Sequence, residues 1–473
     1  MIIFVSSALA FAVLVAQYTG FNVLPFPIQE AKAIKLKTPP SPPNQDLSLN
    51  DGKTSMRTSS SPQSNTASLG CINYNPSTRT VIVSCSSPVR LTDIDNKLHD
   101  SSILAKQSAN GVWFLNANLV ITKGATFHID STDTKWLKVS SKVASASIAK
   151  TTFPAYIIDV HGSLKIDSVK ITSWDPTTNY YAITNGSRTG SDVFIFGAPR
   201  PVIEVETDAT TPTDITNSEI AYLGFEAGKH KADSGLSFYG GDGSVLRNDN
   251  IHHVYFGLYT FGVGHMIIEN NIIRNSGHYG LDPHTGTHDM IIRNNIVYDN
   301  NGSGIICSLN CYNILIENNK VHDNAENGID FSRNMTKSIA RNNIVYNEPS
   351  GIFVSQSHNN QISNNTISKS GNGIQVGSGS SNNKIFGNTI SNAIREAILI
   401  DSGSSVNTFT SNKIVSNTSQ GLKIVQDSTS KNNSFANNQI VTSGGISTTT
   451  PSTAPPALGN TLKHPPDKKI STK

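Results

Sequence analysis

Residues 257–305 read GLYTFGVGHMIIENNIIRNSGHYGLDPHTGTHDMIIRNNIVYDNNGSGI. Three turns of one pattern are visible: Gly257-Leu258, Gly280-Leu281 and Gly304-Ile305, each followed by short apolar alternations and an Asn. Outward from here the unit continues at Gly235-Leu236 and at Gly328-Ile329, Gly351-Ile352, Gly373-Ile374, Ala397-Ile398 and Gly421-Leu422, with spacings of 22 to 24 residues. Asparagines recur in phase at 250, 271, 295, 319, 343, 365, 388, 412 and 438. Self-similarity at a fixed period of this length means a solenoid. No segment holds a 3.6-residue period long enough for a helix, whereas three-residue apolar runs bounded by polar turns suit short strands. One set of strands per repeat gives a parallel β-helix. Leucine-rich repeats are the next alternative, and leucine is too scarce for them. In-phase Asn side chains are expected to hydrogen-bond along the stack.

Strand side chains alternate, so each coil can be sorted into inward and outward positions. After the Gly, the aliphatic points inward. The first outward column then reads Ser237, Tyr259, Asp282, Ile306, Asp330, Phe353, Gln375, Leu399, Lys423. The second reads Tyr239, Phe261, His284, Ser308, Ser332, Ser355, Gly377, Asp401, Val425. One coil stands apart. Asp282 and His284 share a strand face, Tyr279 precedes that strand, His278 and His288 flank it, and Tyr259, Phe261 and Tyr239 lie on the preceding coils. Aromatic faces beside a carboxylate and an imidazole are what a sugar-binding groove needs. Read singly, each has a plainer use: a solvated histidine, a turn-setting Asp before Pro, aromatics packed under a loop. Their convergence favours a functional site.

The termini differ. Ile2–Ala16 is apolar and resembles the core of a signal peptide, with Ala31-Lys32-Ala33 as a late cleavage site; a membrane anchor over 1–33 is the alternative. Residues 34–70 are rich in Pro, Ser and Thr and are expected to form a disordered linker. Residues 71–109 are assigned to an N-terminal hairpin and cap, 110–445 to the β-helix, and 446–473 to a disordered tail. Within the helix, Gly162–Ile166 and Val202–Val205 are expected strands, and Lys229–Asp233 a protruding loop. Cys71 and Cys85 bracket the hairpin, and their pairing suits an exported chain. Cys307 and Cys311 either close a small loop or stay free, with Cys307 as a candidate core residue. A net charge of +3 with 15% charged residues gives no basis for nucleic-acid binding. The expected locale is extracellular, periplasmic or cell-surface, with an N-terminal tether to membrane or wall, and the expected state a monomer.

Tyr279-Gly280-Leu281-Asp282-Pro283-His284 resembles the signature hexapeptide of mannuronan C-5 epimerases of alginate metabolism. The similarity extends from Ser218–Gly224 through Gly235–Tyr239, Ile305–Ser308 and Arg333-Asn334, covering about 218–345. The resemblance implies a right-handed parallel β-helix, an anionic uronate polysaccharide as partner, and inversion at C-5 of mannuronate. That reaction must neutralise a carboxylate, remove the adjacent proton from one face and return one to the other. By resemblance Tyr279 and His284 are the acid/base pair, Asp282 orients or polarises them, and His278 is a competing base. Tyr239, Tyr259, Phe261, His288, Ser308 and Arg333 then bind substrate. The chain departs from the family pattern at Thr285, at Asn300-Asn301-Gly302-Ser303 and at Ser308, where acidic or basic residues are usual. Arg333 is the expected replacement cation, with Arg274 and Arg247 behind it. No cofactor is required by this chemistry; Ca²⁺ is left open, since Asp299 and Asp330 lie nearby without a dedicated loop. A polysaccharide lyase and a non-catalytic carbohydrate-binding β-helix are the alternatives.

Overall fold

The computed structural model describes residues 69–442 apart from 142–154, 184–187, 190–192, 195–199 and 226–233, together with 445–448 and 452–454. The leader, most of the linker, the loop at 229–233 and the end of the tail lie outside the described residues. The fold is the right-handed parallel β-helix, with two 15-stranded sheets and one 12-stranded sheet. Among the described residues no helix is long and apolar enough to cross a membrane.

One coil shows how the sequence makes the shape. Leu281–His284 lies in the first sheet, Ile291–Arg293 in the second and Ile296–Tyr298 in the third. The corner between the second and third sheets is an Asn pair. Asn294 takes a left-handed conformation (φ 57°), which Asn tolerates better than most residues. Asn295 turns inward and is buried. Its Nδ2 donates to Ile268 O (2.9 Å) and to Asn319 Oδ1 (3.0 Å). Asn271, Asn319, Asn343, Asn365, Asn388, Asn412 and Asn438 continue the same ladder. The ladder thus satisfies the corner's backbone groups without water. Its N-terminal member is Asp249, not the expected Asn250: Asp249 N donates to Asn271 Oδ1 (2.8 Å), while Asn250 opens the neighbouring strand.

Inside, the aliphatics after each Gly stack into one core. Leu258, Leu281, Ile305, Ile329, Ile352 and Ile374 are all fully buried, each worth about 1.5–3 kcal/mol of apolar burial. Cys307 points into this core and stays free, as does Cys311. Cys71 and Cys85 are disulfide-bonded across the hairpin Ile72–Asn75/Thr80–Val83. That hairpin's second strand pairs in parallel with Asn118–Ile121, so the hairpin belongs to the first sheet and the parallel stacking begins at Thr80–Val83. A short helix, Leu91–Leu98, buries Leu91 and Ile94. The strands expected near 163 and 202 are present at Ser163–Asp167 and Val202–Val205. At the other end Gly445–Thr448 pairs with Gln439–Thr442, and Ser452–Ala454 with Ile424–Asp427, so pairing runs past 445.

Candidate active site

The outward face of the first sheet carries the columns sorted from the sequence. Tyr259 pairs in register with Asp282 and Phe261 with His284; His284 pairs with Ser308, and Ile306 with Asp330. Asp282 and Asp330 therefore lie two coils apart with Ile306 between. Both face outward yet are buried, Asp282 at 2% exposure and Asp330 at 0%. Asn327, which opens the Asp330 strand, donates to Asp330 Oδ2 (3.0 Å). Burial pushes the Asp330 carboxyl up to about 7 against that hydrogen bond. The groove floor thus carries less negative charge near neutral pH than its two carboxylates suggest.

An aromatic wall rises along the turn side. His278 stacks on Phe256 (5.2 Å, 8°) and lies 3.9 Å, centroid to centroid, from Tyr279. Phe256 in turn lies 5.7 Å from Tyr279 and 5.9 Å from Tyr259. Gly302 makes this packing fit. A Cβ there would come within 2.8 Å of both the His278 and Tyr279 rings. Tyr279 has its pKa raised, first by burial and then by the charges of Glu326, Asp282 and Asp330, with Arg333 opposing. It is a neutral phenol, a proton donor.

The opposite wall is built by His284 and Arg333. Arg333 follows the strand Asn327–Ser332 in a left-handed conformation (φ 53°), which turns its side chain back over the preceding coils. One guanidinium nitrogen donates to Ser308 Oγ (3.0 Å) and lies 3.4 Å from His284 Nε2. A guanidinium only donates, so Nε2 is the acceptor and the ring proton sits on Nδ1, 2.6 Å from Thr285 Oγ1. Toward the N-terminus the same face continues as Tyr259, 5.5 Å from His284, then Tyr239 and the 37%-exposed Phe261 (6.1 Å).

Tyr279, Asp282, His284, His278, Tyr239, Tyr259, Phe261, Ser308 and Arg333 are therefore gathered on one face. His288 belongs elsewhere. It sits past the strand in the row Gly264–His288–Tyr312, stacked on Tyr312 (4.9 Å). Arg247 and Arg274 also point away. Arg247 shares Glu269 with Arg293 on the second sheet, and Arg274 donates to Asn275 on the third. Phe256, Glu326 and Asn327 were not anticipated: the first two occupy turns, where strand alternation gives no guidance, and Asn327 opens its strand just before one of the repeat glycines, ahead of the sorted positions.

Among the described residues the grouped metal donors are His265, His288 and Asp289, whose ligand atoms lie within 4.8 Å of one another. Two imidazoles and one carboxylate suit Cu(II), Zn(II) or Ni(II), not the all-oxygen shell that Ca²⁺ takes.

Comparison with solved structures places the chain beside the periplasmic alginate epimerase AlgG, at 20% identity over 77% of this chain and 85% of that one, TM-score 0.65. The AlgE6 A-module of Azotobacter vinelandii, a mannuronan C-5 epimerase, aligns at 14% identity over 72% and 91% of the two chains, TM-score 0.43. An alginate lyase from Paenibacillus sp. str. FPU-7 aligns at 13% over 74% and 98%, TM-score 0.35. At these identities the AlgG likeness establishes the fold. No curated protein matches the chain by sequence. One family model, described as periplasmic copper-binding protein (NosD), matches residues 213–398 and 348–455. Those two matches together cover just over half of the 473 residues, and the chain belongs to that family of repeat proteins.

Proposed function

We propose that the groove on the first sheet epimerises C-5 of β-D-mannuronate, or a close uronate, within an anionic polysaccharide. The observation that carries this reading is the pairing of Tyr279 on one wall with His284 and Arg333 on the other, across a floor holding Asp282 and Asp330. His284 Nε2 takes the proton from C-5, and the electron pair moves into the C-6 carboxylate. Arg333 neutralises the charge that gathers on those oxygens, which is the costly part of this reaction. The Tyr279 hydroxyl returns a proton to the other face, and the phenolate is reprotonated by way of solvent and the imidazolium. No atom is gained or lost. Tyr259 and Phe261 offer ring faces to neighbouring sugars, with the buried Tyr239 packed against both. The AlgG fold and the hexapeptide resemblance support an alginate-type substrate. The periplasmic family description and the Cys71–Cys85 disulfide support export.

Lyase chemistry shares the first half-reaction and then expels the 4-O-linked sugar. Proton NMR of polymannuronate incubated with the protein separates the outcomes. New guluronate signals are expected. Unsaturated chain ends instead make the protein a lyase, and an unchanged polymer across several uronans leaves a carbohydrate-binding surface. The family description also names copper. In this chain His265, His288 and Asp289 fit such an ion, which would bring a fixed positive charge to that turn; no step above passes through it.

A further inference from the structure

We propose that the turn between the first and second sheets binds one divalent transition-metal ion through His265, His288 and Asp289, separately from the catalytic reading. Two successive coils supply the ligands. His265 and Asp289 occupy the same turn position on adjacent coils, both left-handed (φ 60° and 52°), and His265 N donates to His288 O (3.1 Å). The donor atoms of all three lie within 4.8 Å of one another, close enough for one ion to bridge them after small rotamer adjustments.

Outer partners orient two of the three. His288 Nδ1 lies 3.0 Å from Gly286 O, so it carries the proton and Nε2 is left as the ligand atom. Tyr312 stacks on the same ring at 10°, fixing its plane. Asn313 Nδ2 donates to Asp289 Oδ1 (3.1 Å), while Oδ2 faces His288 Nε2 at 3.9 Å. Gly264 clears the space: a Cβ there would lie 2.8 Å from His288 Nε2. A histidine presenting Nε2 with a backbone carbonyl behind Nδ1, next to a carboxylate held by an amide and a second imidazole, is the arrangement of a built metal site rather than of scattered surface groups. Imidazole and carboxylate donors select Cu(II) most strongly among divalent first-row ions. The same row offers an internal control. His358 sits three coils on, with Ser381 Oγ 3.0 Å from its Nδ1 and no second imidazole in the group.

The test is titration of the full chain with CuCl₂ and ZnCl₂ by calorimetry, with electron paramagnetic resonance of the copper form. One ion per chain is expected, with two-nitrogen coupling in the copper spectrum. His265→Asn and His288→Asn should each weaken binding about tenfold or more. Asp289→Asn and Gly264→Ala should weaken it less, and His358→Asn should leave it unchanged. Circular dichroism confirms folding of each variant; His265 is exposed, so its replacement leaves the core intact. Undiminished copper binding in His265→Asn and His288→Asn, a loss confined to His358→Asn, or the absence of saturable binding of either ion overturns the proposal.

Discussion

The coil that opens at Gly280 and the one that opens at Gly373 share their interior and differ outside. Leu281 and Ile374 are equally buried, and Asn295 and Asn388 make the same ladder bond at 3.0 Å. Outside, the first carries Asp282 and His284 beneath Tyr259, with Tyr279 and Arg333 on either side. The second carries Gln375 and Gly377. Gln375 accepts from Ser350 (3.1 Å) and Asn372 (3.1 Å) and donates to Asp401 (3.0 Å). Those bonds tie Gln375 to its neighbours on three sides. The same scaffold thus carries a cluster of titratable and aromatic side chains in one place and a quiet polar face in another. The difference lies wholly in outward and turn residues, which the fold leaves free to vary.

The largest effect should come from breaking the groove coil at its reactive ends. Tyr279→Phe and His284→Ala should each lower turnover about 10²–10⁴-fold with an unchanged fold. Gln375→Ala, at the matching position of the quiet coil, should stay near wild type; initial rates by NMR check all three. Arg333→Gln should cost about 10²-fold, mostly in kcat, with Arg333→Lys recovering part of it. Kinetics in which only KM rises would make Arg333 a binding residue rather than a stabiliser of the developing charge.

Smaller effects test the shared interior. Asn343 donates to Ile316 O and Asn365 Oδ1 and accepts from Asn319. Asn343→Ala orphans these buried groups, and urea melts should show a loss of about 3 kcal/mol. The last effect concerns Glu348, which continues a second ladder by accepting from Asn324 N and Nδ2 while its own N donates to Ser370 Oγ (3.3 Å). Burial pushes its carboxyl up to about 9. The folded state therefore keeps a proton that the unfolded chain releases near the usual carboxylate range, so this group's stability is full in acid and is lost as pH rises toward 9. Glu348→Gln should remove that decline, stabilising the chain at pH 9 and changing it little at pH 4, read from paired melts.

The repeat made most of this legible. Strict two-residue alternation along each strand sorted Tyr259, Asp282, His284 and Ser308 to one face, and the registers agree. Arg333 was legible only through the family resemblance, because alternation stops at Ser332 and the left-handed residue after it lies outside the sorted columns. Alternation ends at a turn, so the places of Phe256 and Glu326 were not readable, nor was the bond from Asn327, at the strand's first residue, to the buried Asp330. The same limit misplaced His288, which lies four residues beyond His284 and on a different row. The Asn column slipped at its first member because Asp249 takes the asparagine's place there, leaving Asn250 as a decoy one residue on.

The central claim is that a proton leaves C-5 on the His284 side and another arrives on the Tyr279 side. Incubating polymannuronate with the protein in D₂O and following deuterium at C-5 tests it most directly. One deuterium per inverted residue is predicted for the native chain. For Tyr279→Phe, slow deuterium entry into residues that keep the mannuronate configuration is predicted, because the base still works and the return path is gone. Guluronate formed without deuterium, or full inversion by Tyr279→Phe, would contradict the account.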